Sequence, residues 1–319
     1  MRRIIAGLAV LCLVAGLVAV CYWPVRGWLG RQQQQQAVTS FRQEIEEQES
    51  APGTDTAGVG QSLPYPVLFA DMQAYNRQLY ATGQSGLVDA WSYEQSSFDL
   101  SGYGLETDVI GVLSIPVMEE ELPVYLGATQ DNLAKGVAVL GQTSMPVSGE
   151  NTNCVIAGHR GYKGKPVFRE IERLQPGDRV YLSTCWEELE YQVEEVAVIE
   201  PDDIDAVLIQ PDRQMLTLIT CHPYTVGTQR YVVYCTRIQS EQEDFQTGIP
   251  TETAGDNPLQ NTDIGTPETA ANSGSSQGLI RLERWAPWAA IPLIILIFVL
   301  LWPRKRGGGS RTKTQGKEK

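Results

Sequence analysis

Twenty consecutive residues, Ile4–Trp23 (IIAGLAVLCLVAGLVAVCYW), carry no charge. At a helical rise of about 1.5 Å per residue, such a run spans roughly the 30 Å hydrocarbon core of a bilayer. No A-x-A-like cleavage site closes it, and neither Cys12 nor Cys21 follows a small residue, so it reads as an uncleaved anchor rather than a removed signal peptide. A second uncharged run, Trp285–Trp302, is followed by Arg304, Lys305 and Arg306. Its Pro287 and Pro292 cost backbone donors that neighbouring groups or a kink must offset. Flanking Trp and the basic cluster favour a second span over a buried helix. With Arg2 and Arg3 at one end and a basic tail at the other, both termini are expected in the cytoplasm and everything between them outside.

That intervening segment, residues 32–283, holds 13 Lys and Arg against 37 Asp and Glu. The basic residues crowd the membrane-flanking ends, so nucleic acid is excluded as a partner of the exterior part. The expected organisation is a membrane anchor over 1–30, a polar linker over 31–64, a helical arm over 65–104 and a folded β domain over 105–240. A tether too poor in large apolar side chains to order itself follows over 241–283, then a span over 284–303 and a basic cytoplasmic tail over 304–319.

Within the folded part the apolar runs are short and often alternate: VIGVLSIP, NCVIAGH, RVYLSTCW, LEYQVEEVAVIE, MLTLITC and RYVVYCTRI. They are rich in Val, Ile, Leu and Tyr and punctuated by Gly, Pro, Asn and Asp, a pattern of strands in a sandwich or barrel. Helical patterns are few, QAYNRQLYA near Tyr75 and KPVFREIERL from Lys165 to Leu174.

Four cysteines fall in the exterior part, Cys154, Cys185, Cys221 and Cys235, and the chain has only two histidines, His159 and His222. Disulfides are the ordinary fate of exported cysteines. Strand parity places Cys154 and Cys235 toward a core, as small buried hydrophobes, and leaves a pairing among cysteines other than Cys221 open. A metal clip at Cys221 and His222 is disfavoured, because adjacent strand residues point to opposite faces and no further ligand lies at the short spacing of a zinc site. By the same parity His222 faces away from Cys221, so an acid or base for that thiol must come from His159, at the end of NCVIAGH. Arg230, nine residues after Cys221, offers a permanent charge and a planar fork of donors suited to an oxyanion. An incidental trio, in a membrane-tethered binding domain without catalysis, is the competing reading.

The segment TLITC, Thr217–Cys221, fits the TLxTC signature of the sortase family, the cysteine transpeptidases of Gram-positive cell surfaces. Arg230 on the next strand, His159 within ENTNCVIAGHRG, and the pieces IGVLSIPVMEEELPVYLGAT and GVAVLGQTSMPVSGENT extend the resemblance over Leu105–Ile238. It implies a mainly β fold, a closed eight-stranded barrel with short helices, here flanked by two transmembrane helices. It further implies that Cys221 attacks the Thr–Gly carbonyl of an LPxTG-like sorting signal, that an amine resolves the thioester, that His159 moves the protons and that Arg230 stabilises the oxyanion. The loop Pro201–Gln214 would line the sorting-signal groove. The CHPY continuation and the C-terminal span resemble class C sortases, which polymerise pilins through a lysine amine. A sortase that attaches surface proteins to peptidoglycan through a wall-precursor amine is the alternative. Class C sortases commonly carry a lid with an Asp-Pro-aromatic motif, for which VDAWSYE offers Asp89 and Trp91, with Ala90 in place of the proline. No cofactor or metal is expected.

Overall fold

The structure is a computed structural model that describes residues 2–50, 63–87, 94–105, 107–162 and 165–238. Eight strands close into a barrel: β1 (Val109–Ile115), β2 (Glu120–Leu126), β3 (Val137–Val139), β4 (Thr152–Ala157), β5 (Arg179–Thr184), β6 (Glu188–Ile199), β7 (Gln214–His222) and β8 (Gln229–Arg237). Their order around the barrel is β1-β2-β3-β4-β7-β8-β6-β5. Two pairings are parallel, β2 with β3 and β4 with β7. Six of the strands coincide with the six alternating runs. The other two, β2 and β3, lie within the pieces that resemble the family.

Closure leaves no unpaired edge and gives every strand an inner and an outer face. Leu113, Ile156, Leu182, Leu216, Leu218 and Val233 meet in the main apolar cluster, each essentially without solvent exposure. Cys154 and Cys235 belong to the same cluster, as parity requires. Cys154, Cys185, Cys221 and Cys235 are all free thiols.

Among the described residues there are three α-helices: α1 (Arg2–Ser50), α2 (Pro66–Ala81) and α3 (Gln130–Lys135). The arm is docked rather than loose. Leu68 and Met72 of α2 are fully buried in the barrel cluster, and Asn76 exchanges two hydrogen bonds with the backbone of Met145, at 2.7 and 3.2 Å. Trp186 donates its indole N–H to Pro64 O at 2.6 Å and packs on Phe69.

Residues 31–50, expected within a polar linker, are helical and form the end of α1. Val38, Phe41 and Ile45, three and four residues apart, make one apolar stripe that packs on Val109, Val112 and Tyr125 of the barrel's outer face. The glutamine run, which reads as polar, has good helix propensity and carries the helix into that stripe. The segment Lys165–Leu174, expected as a helix, forms only a 3-10 turn at Ile171–Arg173. Its backbone turns at Val167, with φ +44°, and Phe168 N–H bonds to His159 O at 3.0 Å, which fastens the segment to the end of β4 instead.

The barrel and its arm belong to a compact unit, Trp23–Gln277. Among the described residues no helix is long and apolar enough to cross a membrane. The side chains of several residues between Ile4 and Trp23 lie outside those described, as does the whole of Trp285–Trp302.

Candidate active site

In the parallel ladder of β4 and β7 the last pair is Ala157 with Ile219. Two residues further along each strand stand His159 and Cys221. Because both steps are even, the two side chains share the face of Ala157 and Ile219. On the other side of Cys221 its direct antiparallel partner is Arg230 of β8. Thiol and guanidinium are thus level on adjacent strands, on the outer face near one rim, and His159 follows the end of β4 beside them, two residues past Ala157. Cys221 is exposed, whereas Cys154, Cys185 and Cys235 are buried. Burial pushes the Cys185 thiol up to about 12 and those of Cys154 and Cys235 higher still, so none of these three is a ready thiolate at neutral pH.

The Thr residues of TLITC hold this arrangement together. Thr217 donates its hydroxyl to Asn153 Oδ1 at 2.7 Å. Asn153 in turn donates to Val207 O and Leu208 O, at 3.2 and 3.3 Å. The loop before β7 is thereby fastened across the β4–β7 face, where Val207 is buried in one cluster with Val155, and Ala157, Leu208 and Ile219 pack against it. Thr220 donates to Gly158 O at 2.6 Å, beyond the last ladder pair. The loop Pro201–Gln214 therefore borders the candidate site.

Each site residue has a local support. The His159 ring stacks on Tyr162, with centroids 4.5 Å apart and planes 14° from parallel, and His159 O receives the N–H groups of Gly161 and Phe168. Gly158, just before it, lies where a Cβ would come within 2.7 Å of the Phe168 ring, so no larger residue fits there. Arg230 Nη1 donates to Gly227 O at 3.1 Å and Gln229 O at 3.0 Å, clipping the turn between β7 and β8. In that turn Gly227 has φ +72°, and a Cβ on it would sit 3.4 Å from Cys221 Cβ and 3.8 Å from Sγ. The glycine's backbone forms one wall beside the thiol. The peptide bond between His222 and Pro223 is cis.

His222 points to the opposite side. Its Nδ1 lies 2.7 Å from Arg160 Nη1, and Arg160 pairs with the buried Glu172. Burial and the adjacent Arg160 guanidinium hold the His222 pKa below the usual imidazole value, with Glu172 opposing them. Nothing in the sequence marks Glu172, which sits in the charged run FREIERL yet has a buried side chain. Arg160 and Tyr162 adjoin His159 in sequence, but only the fold shows what they touch. Asp89 and Trp91, the lid candidates, lie outside the described residues. Among the described residues no group of three His, Cys, Asp or Glu side chains could hold a metal ion.

Residues 113–238 match the model of the sortase domain. Over 165 residues the chain is 32% identical to sortase A of Bacillus anthracis, covering 51% of this chain and 77% of that protein. It is 33% identical over 131 residues to sortase D of Bacillus subtilis, covering 40% of this chain and 63% of that relative, less than two thirds of its length. Among solved structures, sortase C1 of GBS Pilus Island 1 superposes with a TM-score of 0.55 at 25% identity, over 65% of this chain and 98% of the other. The closed barrel, the site at its rim and these likenesses define a cysteine transpeptidase fold. The chain belongs to the sortase family.

Proposed function

We propose that this protein is a membrane-bound sortase of the class C type, which cleaves an LPxTG-like sorting signal between Thr and Gly and passes the acyl group to a lysine amine of a pilin subunit. The observation that supports this reading is the cross-strand pairing of Cys221 with Arg230, with His159 two residues past the end of the strand that pairs with β7 on its other side. The Cys221 thiolate adds to the Thr carbonyl carbon, forming the C–S bond and a tetrahedral oxyanion that faces the Arg230 fork. His159 gives its proton to the glycine nitrogen as the C–N bond breaks, leaving a thioester. The incoming amine then adds to that thioester, His159 takes the amine's proton, and the C–S bond breaks to return the thiolate. One amide is exchanged for another without a redox step or cofactor.

The likeness to sortase C1 of GBS Pilus Island 1 supports the pilin acceptor. The curated relatives named sortase A and sortase D favour, as a second reading, a surface-protein sortase that uses a wall-precursor amine. The uncharged runs at both ends support a two-span protein with the barrel outside the cell and both termini in the cytoplasm. Incubating the protein with an LPxTG-type peptide and locating the acyl adduct by mass spectrometry tests the chemistry. Competition between a pilin lysine peptide and a wall-precursor amine for the acyl group separates the two acceptors. An unmodified Cys221, or an adduct elsewhere, removes the proposal.

A further inference from the structure

His159 and Cys221 both stand beyond the last backbone pair of β4 and β7, where the ladder no longer sets their separation. The final backbone contact is Gly158 N–H to Ile219 O at 3.1 Å. After it the strand ends are joined by side chains. Thr220 bonds to Gly158 O, and then the residue following each candidate site residue meets its counterpart: Arg160 Nη1 reaches His222 Nδ1 at 2.7 Å. A guanidinium has donors only, so Nδ1 must present its lone pair and the ring proton sits on Nε2. Arg160 is in turn held by Glu172, their side chains 2% and 5% exposed, and its guanidinium lies 5.6 Å from the centre of the Tyr231 ring.

We infer that Arg160, Glu172 and His222 are positioning residues that fix the distance between His159 and Cys221 from the opposite face of the strands. The inference rests on the assignment of that pair as acid–base and nucleophile. Strand alternation explains it: residues 159 and 221 face the substrate side, residues 160 and 222 face inward, and a tie between the inner pair sets the spacing of the outer pair. Glu172 keeps the guanidinium from swinging away, and the 3-10 turn at Ile171–Arg173 brings that carboxylate to the strand ends.

The tie exists only while His222 is neutral. Around its ring stand Arg160 from the end of β4, Glu172 with Oε1 3.7 Å from Nδ1, and Tyr231 of β8 with its ring centre 5.7 Å away, while the Cys221 thiol lies on the other face. Tyr231, pushed up to about 12 by burial and Glu172, stays a neutral phenol. Protonating Nδ1 removes the acceptor and sets a second cation against Arg160. The lowered His222 pKa keeps the tie intact at and above the ordinary imidazole value of 6.5, and it is lost as the pH falls below that.

The full-length protein in detergent, as wild type, His222→Ala and His222→Asn, tests this by two readouts from about pH 5 to 8. One is kcat and KM for an LPxTG-type peptide; the other is alkylation of Cys221 by iodoacetamide, followed on its own proteolytic peptide. His222→Ala is expected to lose about tenfold in kcat with KM within about twofold, and to shift the alkylation profile. Asn places an amide oxygen near the position of Nδ1 and does not titrate, so it should recover kcat to within about threefold and lose activity less steeply in acid. Wild-type kcat and alkylation in a folded His222→Ala protein would overturn the inference, as would equal losses in both variants. Should His222→Ala not fold, His222→Asn decides: an acid limb that superimposes on the wild type's overturns it. If the wild type cleaves no peptide, the proposed function fails, while a shifted alkylation profile in His222→Ala still supports the positioning role and an unshifted one rejects it.

Discussion

Cys221 of β7 and Arg230 of β8 are direct cross-strand partners, and the same guanidinium donates to Gly227 O, the residue whose backbone walls the thiol. One side chain thus clips the turn that shapes the thiol's surroundings and offers charge at the position where an oxyanion would form. Replacing it removes two functions together. Arg230→Lys supplies a point charge without the planar fork, and is expected to cut kcat/KM for a sorting-signal peptide by at least about tenfold. Steady-state kinetics checks this.

Cys221→Ala should abolish the acyl adduct and leave the melting temperature near that of the wild type, because it removes one exposed sulfur. Cys154→Ala and Cys235→Ala should keep the adduct and lose about 1 kcal/mol each, since each opens a small gap in the barrel core. Mass spectrometry and denaturant unfolding separate the two groups. An adduct in Cys221→Ala would remove the nucleophile assignment.

The two histidines should rank in a fixed order. His159→Ala is expected to cost about 10²–10⁴-fold in turnover through loss of proton transfer, well beyond the roughly tenfold effect of His222→Ala on geometry. A larger loss at His222 contradicts the face assignment of both strands.

Gly227→Ala sets a side chain at φ +72° and within van der Waals contact of Cys221. Adopting that backbone costs an alanine about 1–2 kcal/mol. The variant should be less stable and slower to be alkylated at Cys221. An unchanged alkylation rate and midpoint would show that the turn does not confine the thiol.

Membrane topology makes a cellular prediction. A reporter fused after Lys319 should be cytoplasmic, and a tag inserted near Gly255 should be reached from outside intact cells. A C-terminus accessible from outside contradicts the second span.

Much of the barrel was legible because strand signals are local. Alternation in RVYLSTCW or RYVVYCTRI follows from the two-residue period of a pleated chain, and parity alone turned Cys154 and Cys235 toward the core and His222 away from Cys221. The pairing of β4 with β7 was not legible in that way. They are joined in parallel across 56 intervening residues, and no local pattern states which strands meet.

The sequence by itself singled out the candidate reactive groups: a Cys, one histidine left to serve it and an arginine on the next strand, in pieces that together fit the family. Only the tertiary structure decided their alignment, since register in a closed barrel is a property of all its strands together. It also decided that residues 31–50 form a helix on the barrel, because the stripe of Val38, Phe41 and Ile45 has meaning only once Val109 and Tyr125 present a surface to cover. The buried pair of Arg160 and Glu172 belongs to the same class. A charged residue reads as solvated until the fold surrounds it, and what then makes its burial tolerable is a partner distant in sequence.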